Sequence, residues 1–381
     1  MNSSAIQSTR SITKSRKSDY ASLIPQSYVQ ARDRFLTAAS KLGAKIESLQ
    51  IAAKGPQGED LWVDAALLGA SQPGRLLIIS SGVHGIEGFF GSAVQTGFLE
   101  DELRGAQLPA DGGLLMLHAI NPYGFAWYRR FNENNVDLNR NFLLPDEPFS
   151  GSPPLYSHLY KQYPATIKPR RFSLLLVGKL LFTMLRHGKK QLRAAVPVGQ
   201  YDYPKGPFFG GAQPEKIQLW LRDALQRWLQ NAKEVVHLDF HTGLGAWGAC
   251  KLLIDHDPES SNCDWWKQHF NPASVECVKR GNTSYLIRGA FGRWCEHLAG
   301  SIPYRFATAE FGTRSPMRVL AAIISENRAY WCGLKANPHY AWIQKRMMEA
   351  FVPSDRAWRE NSIQTSMDLV QQAWISTFQA I

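Results

Sequence analysis

The sequence predicts an α/β fold: a mixed, mostly parallel, twisted central sheet with helices on both faces. Three observations predict it. Short, continuously apolar runs at residues 75–80, 114–120 and 235–240 each end in a Gly- or Pro-bearing loop, as strands buried on both faces do. Helical segments at 87–103 and 214–233 lie between them, the alternation that crossover connections produce. Ahead of these, residues 46–53 and 61–68 alternate in polarity around Gly55, Pro56 and Gly58, which is a hairpin signal.

In chain order, residues 1–18 carry Arg10, Lys14, Arg16 and Lys17 among serines and no acid. Without an apolar core of the secretory kind they suit a disordered basic tail and a cytoplasmic location, with an organelle transit peptide as the alternative. Residues 28–42 have helical spacing and lead into the hairpin. Later strands are expected at 251–255, 274–279 and 304–311. Helices at about 318–351, broken near Pro338, and at about 354–379 would close the fold.

Residues 145–214 differ from the rest in their prolines, glycines and aromatics and look like an insertion over the sheet in an otherwise single catalytic domain spanning 19–381. The glycine-rich part, 199–211, suits either a lid or wall of a site or an ordinary ordered loop. Within the insertion, residues 172–185 are apolar but too short to span a bilayer and interrupted by Lys179. They read as a helix capping the core, with a peripheral membrane contact as the alternative.

At 381 residues, 44% hydrophobic and 20% charged, the chain is neither disordered nor fibrous in composition. The net charge of +11 is scattered rather than gathered in a block, which argues against nucleic acid and suits drawing a small anionic substrate into a cleft. Cys250, Cys263, Cys277, Cys295 and Cys332 are odd in number and contain no CxxC pair, so reduced thiols are expected, with neither a disulfide framework nor a thiolate metal site.

Four constellations carry chemistry. Ser80-Ser81-Gly82-Val83-His84-Gly85-Ile86-Glu87-Gly88 follows an apolar strand, where sites form in open sheets, and its glycines let His84 and Glu87 converge on one ion. Asn121-Pro122-Tyr123-Gly124 ends the next strand and leads through Arg129, Arg130 and Asn132 to Val136-Asp137-Leu138-Asn139-Arg140-Asn141-Phe142. Two arginines and several carboxamides there suit a carboxylate, or equally a surface loop held by its own side chains. In His237-Leu238-Asp239-Phe240-His241 the period of two puts His237, Asp239 and His241 on one face of a strand. His241, at the strand's end, is the best third ligand, Asp239 a second-layer acceptor for a ligand, and His237 a satisfied core histidine. Glu310, in the apolar strand Ala307-Thr308-Ala309-Glu310-Phe311, needs a metal, a cation or a proton beside it. It suits a general base or an ion pair with Arg314 or Arg318.

Together the four resemble the zinc carboxypeptidase superfamily, whose HxxE, Arg, Asn-Arg pair, lone His and catalytic Glu follow in this chain order. The run RFNENNVDLNRNF over residues 130–142 carries the most specific match, and the likeness covers roughly 74–313. It is closest to a bacterial branch and leaves the substrate open. The resemblance implies a zinc-carboxypeptidase-like fold and one zinc per chain held by His84, Glu87 and His241. It further implies that Arg130 stabilises the oxyanion, that Asn139 and Arg140 hold a substrate carboxylate, and that Glu310 is base and then acid. The superfamily's substrate-capping tyrosine matches Tyr285 by position only, with Arg288 and Tyr304 as neighbours to consider.

The activity so implied is hydrolysis of an amide bond next to a carboxylate-bearing residue of a peptide, by Glu-assisted attack of water activated at zinc. An N-acyl amino acid deacylase would keep the metal and change the substrate. A non-catalytic binding protein would use the same cleft, although each expected position holds a competent residue. No GxSxG elbow and no HExxH is present, which sets aside the serine α/β-hydrolase and the thermolysin-like plan.

Overall fold

The predicted hairpin forms one edge of the sheet in the computed structural model, where β1 (Lys45–Lys54) and β2 (Asp60–Gly69) pair antiparallel. The structure describes residues 19–103, 107–162, 165–168, 178, 182–183, 185–188, 197–278, 287–333 and 339–379. The expected tail at 1–18 and most of the apolar stretch 172–185 lie outside them.

The remaining strands are β3 (Arg75–Ser81), β4 (Gly112–His118), β5 (Glu234–Gly243), β6 (Cys250–Ile254), β7 (Val275–Cys277) and β8 (Tyr304–Gly312). They add to the hairpin in the order β1-β2-β4-β3-β5-β8-β6-β7. The central block β4-β3-β5-β8 is parallel, β2 and β6 join it antiparallel, and β7 runs parallel to β6. The chain leaves β3 for β4 on one side and later enters β5 on the other, so the strand order reverses between β3 and β5. A crevice opens beyond the carboxyl ends of strands at such a reversal.

The helices are α1 (Tyr28–Lys41), α2 (Gly88–Gly97), α3 (Pro122–Ala126), α4 (Pro154–Gln162), α5 (Lys216–Trp228), α6 (Ser261–His269), α7 (Phe291–Ala299), α8 (Pro316–Trp331), α9 (Tyr340–Phe351) and α10 (Arg356–Phe378). Caps fix their starts: Ser27 accepts from the Gln30 amide at 3.2 Å and Asp355 from the Trp358 amide at 2.7 Å. The helical run expected over 318–351 is two helices, and the predicted break at Pro338 lies outside the described residues. The helix predicted to reach residue 103 continues past Gly97 only as one wider π turn, Phe98–Glu102.

Continuous apolarity in β3 pays off as burial: Leu76, Leu77, Ile78 and Ile79 are all fully enclosed, each contributing roughly 1.5–3 kcal/mol. On β5 the period of two sorts the faces. Phe240 turns toward Phe311, which packs on Phe90 of α2, itself against Trp358 of α10. His237 turns the opposite way, toward Phe291 of α7 and Phe306 of β8. Asp239 and His241 share that second face, and so does Glu310, which pairs in register with His241.

One cysteine expectation is corrected. Cys263 and Cys277 form a disulfide, with Cα atoms 6.3 Å apart, tying α6 to β7. Their separation of 14 residues has no CxxC signature, and only the packing of helix on edge strand brings them together. Cys250, Cys295 and Cys332 are free thiols, as expected. Disulfides persist mainly in oxidising compartments, so the cysteines lend no support to a cytoplasmic location. No helix among the described residues is long and apolar enough to cross a membrane.

Candidate metal centre and active site

Beyond β3 the chain turns at Gly82, whose φ of 74° suits glycine, and enters a single 3-10 turn, Gly85–Glu87. That turn is pressed against the loop after β4. A Cβ built on Gly85 would lie 2.1 Å from the Gly124 carbonyl carbon, so no larger residue fits there. The Gly85 amide donates to the Arg130 carbonyl at 3.2 Å and the Ile86 amide to the Arg129 carbonyl at 2.7 Å. The HxxE loop and the arginine loop are therefore one construction, placed by backbone hydrogen bonds.

His84, Glu87 and His241 are buried and converge. His84 Nδ1 lies 2.9 Å from Glu87 Oε1, His241 Nδ1 lies 2.9 Å from Glu87 Oε2, and the two Nδ1 atoms are 3.1 Å apart. Two imidazole nitrogens facing each other across a carboxylate repel unless a cation sits among them. Two nitrogens and one oxygen at these spacings suit a small divalent ion held about 2 Å from each. The electrostatics agree. Burial pushes the Glu87 carboxyl up, but His84 and His241 outweigh it and hold it well below the usual carboxylate range. Burial opposes the charge on His241, yet Asp239 and Glu87 raise it well above an ordinary histidine. His241 thus holds a proton, which a metal would displace.

The outer nitrogens of both histidines are anchored. His241 Nε2 sits 2.6 Å from Asp239 Oδ2, and Asp239 Oδ1 accepts from Ser80 Oγ at 2.6 Å. Ser80 Oγ also lies 2.7 Å from His237 Nε2, whose Nδ1 is 2.8 Å from the Tyr304 hydroxyl. His237 is the satisfied core histidine expected, and burial lowers its pKa to about 4, so it stays neutral. His84 Nε2 lies 3.3 Å from Asp137 Oδ1 and 2.6 Å from Arg130 Nη2. These neighbours demand opposite tautomers. Were His84 to bind a metal through Nδ1, its Nε2 would carry the hydrogen and donate to Asp137.

Arg129 and Arg130 diverge completely. Arg129 is enclosed, donates to Glu326 Oε1 at 2.6 Å and Asn135 Oδ1 at 2.9 Å, and lies 3.5 Å above the Tyr330 ring. It holds α8 to the loop. Arg130 donates through Nε to Asp137 Oδ2 at 2.9 Å, places Nη1 3.6 Å from Glu87 Oε1, and rests on Phe208. Its guanidinium stands beside the ligand triangle.

Glu310 is half-buried beside His241 and accepts one hydrogen bond, from the Leu244 amide at 2.8 Å. Burial and the nearby Glu87 carboxylate raise its pKa to about 7. Neither expected ion-pair partner reaches it: Arg314 pairs with Glu349 at 2.9 Å, Arg318 is exposed, and Lys251 on the adjacent strand donates to the Ala273 carbonyl.

Asn139 and Arg140 are both engaged by backbone groups. Asn139 Oδ1 accepts from the Phe291 amide at 2.9 Å, and the Arg140 guanidinium donates to the carbonyls of Pro197 and Asn139. Tyr285 lies outside the described residues. Tyr304 is buried on His237, and Arg288 stacks on Tyr201 and donates to the Ser150 carbonyl, so neither faces the ligand triangle. Two residues that matter here were not singled out from the sequence, Asp137 and Ser80. An acid between Val136 and Leu138, both buried, was the available signal for Asp137. Ser80 had the period-two register with Asp239 across β3 and β5.

The model of the family described as "Protein of unknown function (DUF2817)" matches residues 25–365. A search of curated proteins finds no match. Among solved structures, the chain is similar to carboxypeptidase A from Helicoverpa armigera, at 14% identity over 88% of this chain and 77% of that one, with a TM-score of 0.46. It is also similar to the succinylglutamate desuccinylase from Chromobacterium violaceum, at 15% identity over 80% and 75%, with a TM-score of 0.38. A murein-tripeptide amidase from Escherichia coli O157 is similar at 17% identity over 78% and 91%, with a TM-score of 0.35.

Proposed function

We propose that this chain, which belongs to the family matched over residues 25–365, is a zinc-dependent hydrolase of amide bonds. The observation that carries the reading is the buried triangle of His84 Nδ1, Glu87 and His241 Nδ1 with Glu310 in register beside it. Zinc when bound supplies a Lewis acid and lowers the pKa of water toward neutrality. The other steps belong to the chain. Glu310 accepts the proton of the attacking water, a role suited to a carboxyl whose pKa is poised near 7. Arg130, steadied by Asp137 and Phe208, donates to the carbonyl oxygen as charge develops on it, which is worth on the order of 3 kcal/mol. Glu310 then returns the proton to the leaving amine.

Peptides and N-acyl amino acids are the two substrate groups this chemistry serves, with Asn139 and Arg140 as the groups the sequence offers to a carboxylate. The test is native mass spectrometry together with turnover of amides by the zinc-loaded chain. We expect one zinc per chain, and Glu310→Gln should keep zinc while losing about a hundredfold in kcat. A chain that takes up no zinc on titration would end the reading.

A further inference from the structure

Along the whole chain the cations are scattered, yet one stretch has no acid to balance them. Between Glu147 and Asp202 stand nine lysines and arginines and no Asp or Glu, against a net charge of +11 for all 381 residues. An unbalanced excess of this kind attracts an anionic surface.

The described part of this stretch also shows apolar side chains to solvent. Residues 182–183 and 185–188 are helical. Thr183 is 3% exposed and donates to Gln162 Oε1 of α4 at 3.3 Å, and the His187 ring lies 5.9 Å from that of His158 on the same helix. Thr183 and His187 are four residues apart and so share the face laid on α4. Phe182 and Leu185, three apart, leave on the other face, 58% and 81% exposed, with Arg186 exposed beside them. What the segment turns inward is a hydroxyl and an imidazole; what it turns outward is Phe, Leu and Arg.

A second group continues from the end of α4. Ile167 is 47% exposed, and Lys168 after it is exposed too. The Thr166 carbonyl accepts from Cys332 Sγ at 3.8 Å, which brings in Trp331, 37% exposed at the end of α8. Lys205 Nζ stands 5.3 Å over the Trp331 ring. Four large apolar side chains are thus interleaved with cations, whereas exposed ones scattered singly need no explanation.

Helix α4 also ties these groups to the candidate site. The Tyr156 hydroxyl donates to the Pro207 carbonyl at 2.6 Å, and the Tyr160 ring packs 4.7 Å from that of Tyr203. Residues 199–211 are in turn bonded to the loop that carries Arg130. The Asp137 amide donates to the Phe209 carbonyl at 2.7 Å and Asn141 Nδ2 to the Gly210 carbonyl at 2.9 Å.

We infer that Ile167, Phe182, Leu185 and Trp331, with Lys168, Arg186 and Lys205 among them, form a docking surface for an anionic phospholipid bilayer. The apolar side chains enter the acyl boundary, the cations meet the head groups, and a tryptophan suits the interface between the two. Nucleic acid would answer to the charge and stack on an aromatic ring, but aliphatic Ile167 and Leu185 give it nothing. The inference goes beyond the amide-hydrolase reading and is tested without it.

In the test the full chain is mixed with vesicles of phosphatidylcholine alone, or of phosphatidylcholine and phosphatidylglycerol in equal parts, and the bound fraction is read by flotation. We expect binding to the anionic vesicles to exceed binding to the neutral ones by about tenfold or more. Phe182→Ser with Leu185→Ser should weaken it about tenfold and leave Tm unchanged, since both side chains stand in solvent. Lys168→Glu with Arg186→Glu should remove the preference for anionic vesicles. No binding, or equal binding to both kinds of vesicle, overturns the inference. Binding that the serine variant keeps in full also overturns it, and competition by single-stranded RNA would then name nucleic acid as the partner. A dimer seen by light scattering and lost in the serine variant, without vesicle binding, hands the surface to a second copy of the chain and refutes the bilayer equally. If the serine variant fails to fold, the glutamate variant decides, and a preference that it retains counts against the inference.

Discussion

The two ends of the Arg130–Arg140 loop meet different fates. At the His84 end, two imidazole nitrogens and a carboxylate converge 2.9 to 3.1 Å apart, and the outer nitrogens are clamped by carboxylates. At the Arg140 end, donors are matched to carbonyls of the chain's own backbone. Buried ligand atoms converging on one point mark a place where a cation, proton or metal, is wanted, whereas donors met by backbone carbonyls mark structure. The same contrast separates Arg130, beside the ligand triangle, from Arg129, one residue earlier and paired to Glu326. Chemical type and sequence position are alike for Arg129 and Arg130; the state of their hydrogen bonds tells them apart.

The sharpest way to break the comparison is to remove an acceptor. His241→Ala should weaken zinc binding by more than about a hundredfold, beyond the range found for supporting residues. Competition with a chromophoric chelator measures it, and an unchanged affinity would place the metal elsewhere. Next in size is Arg129→Met. Stripping one partner from a buried pair leaves Glu326 stranded and should cost roughly 3 to 5 kcal/mol. Denaturant unfolding reads the loss, and turnover per folded molecule should be nearly preserved. A variant as stable as the parent but slow in turnover would move Arg129 into the site.

Glu310 gives a pH signature. The base must be ionised, so kcat should rise as pH climbs through the Glu310 pKa. That value is about 7 in the metal-free protein, and a cation beside the carboxylate lowers it. The acid limb should therefore fall at or below 7 in the zinc-loaded chain and vanish in Glu310→Gln. A limb that persists in the glutamine variant would assign it to another group.

Much of this was legible in the sequence because it follows from local pattern. Continuous apolarity located β3, β4 and β5, and the period of two placed His237, Asp239 and His241 on one face, with Asp239 bonded to His241 and His237 satisfied in the core. Glu310 was legible as an acid in an apolar strand, although that Arg314 is not its partner needed Arg314 to be seen on Glu349. What could not be read depends on distant backbone. The acceptor that closes on Arg140 is a carbonyl 57 residues away, and a carbonyl has no signature in a side-chain pattern. The Cys263–Cys277 bond likewise rests on the packing of α6 against β7, and neither residue lies in a recognisable motif. Arg129 and Arg130 are identical in type and adjacent, so only the direction each leaves the loop could separate them.

The smallest effect expected is the most informative about how the triangle is held. Ser80 sits at the end of β3, one strand from Asp239, and its hydroxyl has one hydrogen to give. Asp239 Oδ1, at 2.6 Å, is the stronger acceptor, which leaves His237 Nε2, at 2.7 Å, to donate to the hydroxyl oxygen. His237 Nδ1 must then accept from the Tyr304 hydroxyl, 2.8 Å away. The chain of bonds thus runs in one direction, from Tyr304 through His237 and Ser80 to Asp239, and ends by fixing the tautomer that aims His241 Nδ1 at Glu87. Ser80→Ala removes the middle link while deleting a single buried atom. It should weaken zinc by about tenfold, the low end for a supporting partner. Ser80→Thr keeps a hydroxyl and should recover most of the affinity wherever the extra methyl fits. Chelator competition on the two variants decides it. Equal zinc affinity in Ser80→Ala and the parent would mean that His241 is aimed by Asp239 alone, and that the serine serves only to satisfy buried polar groups in the core.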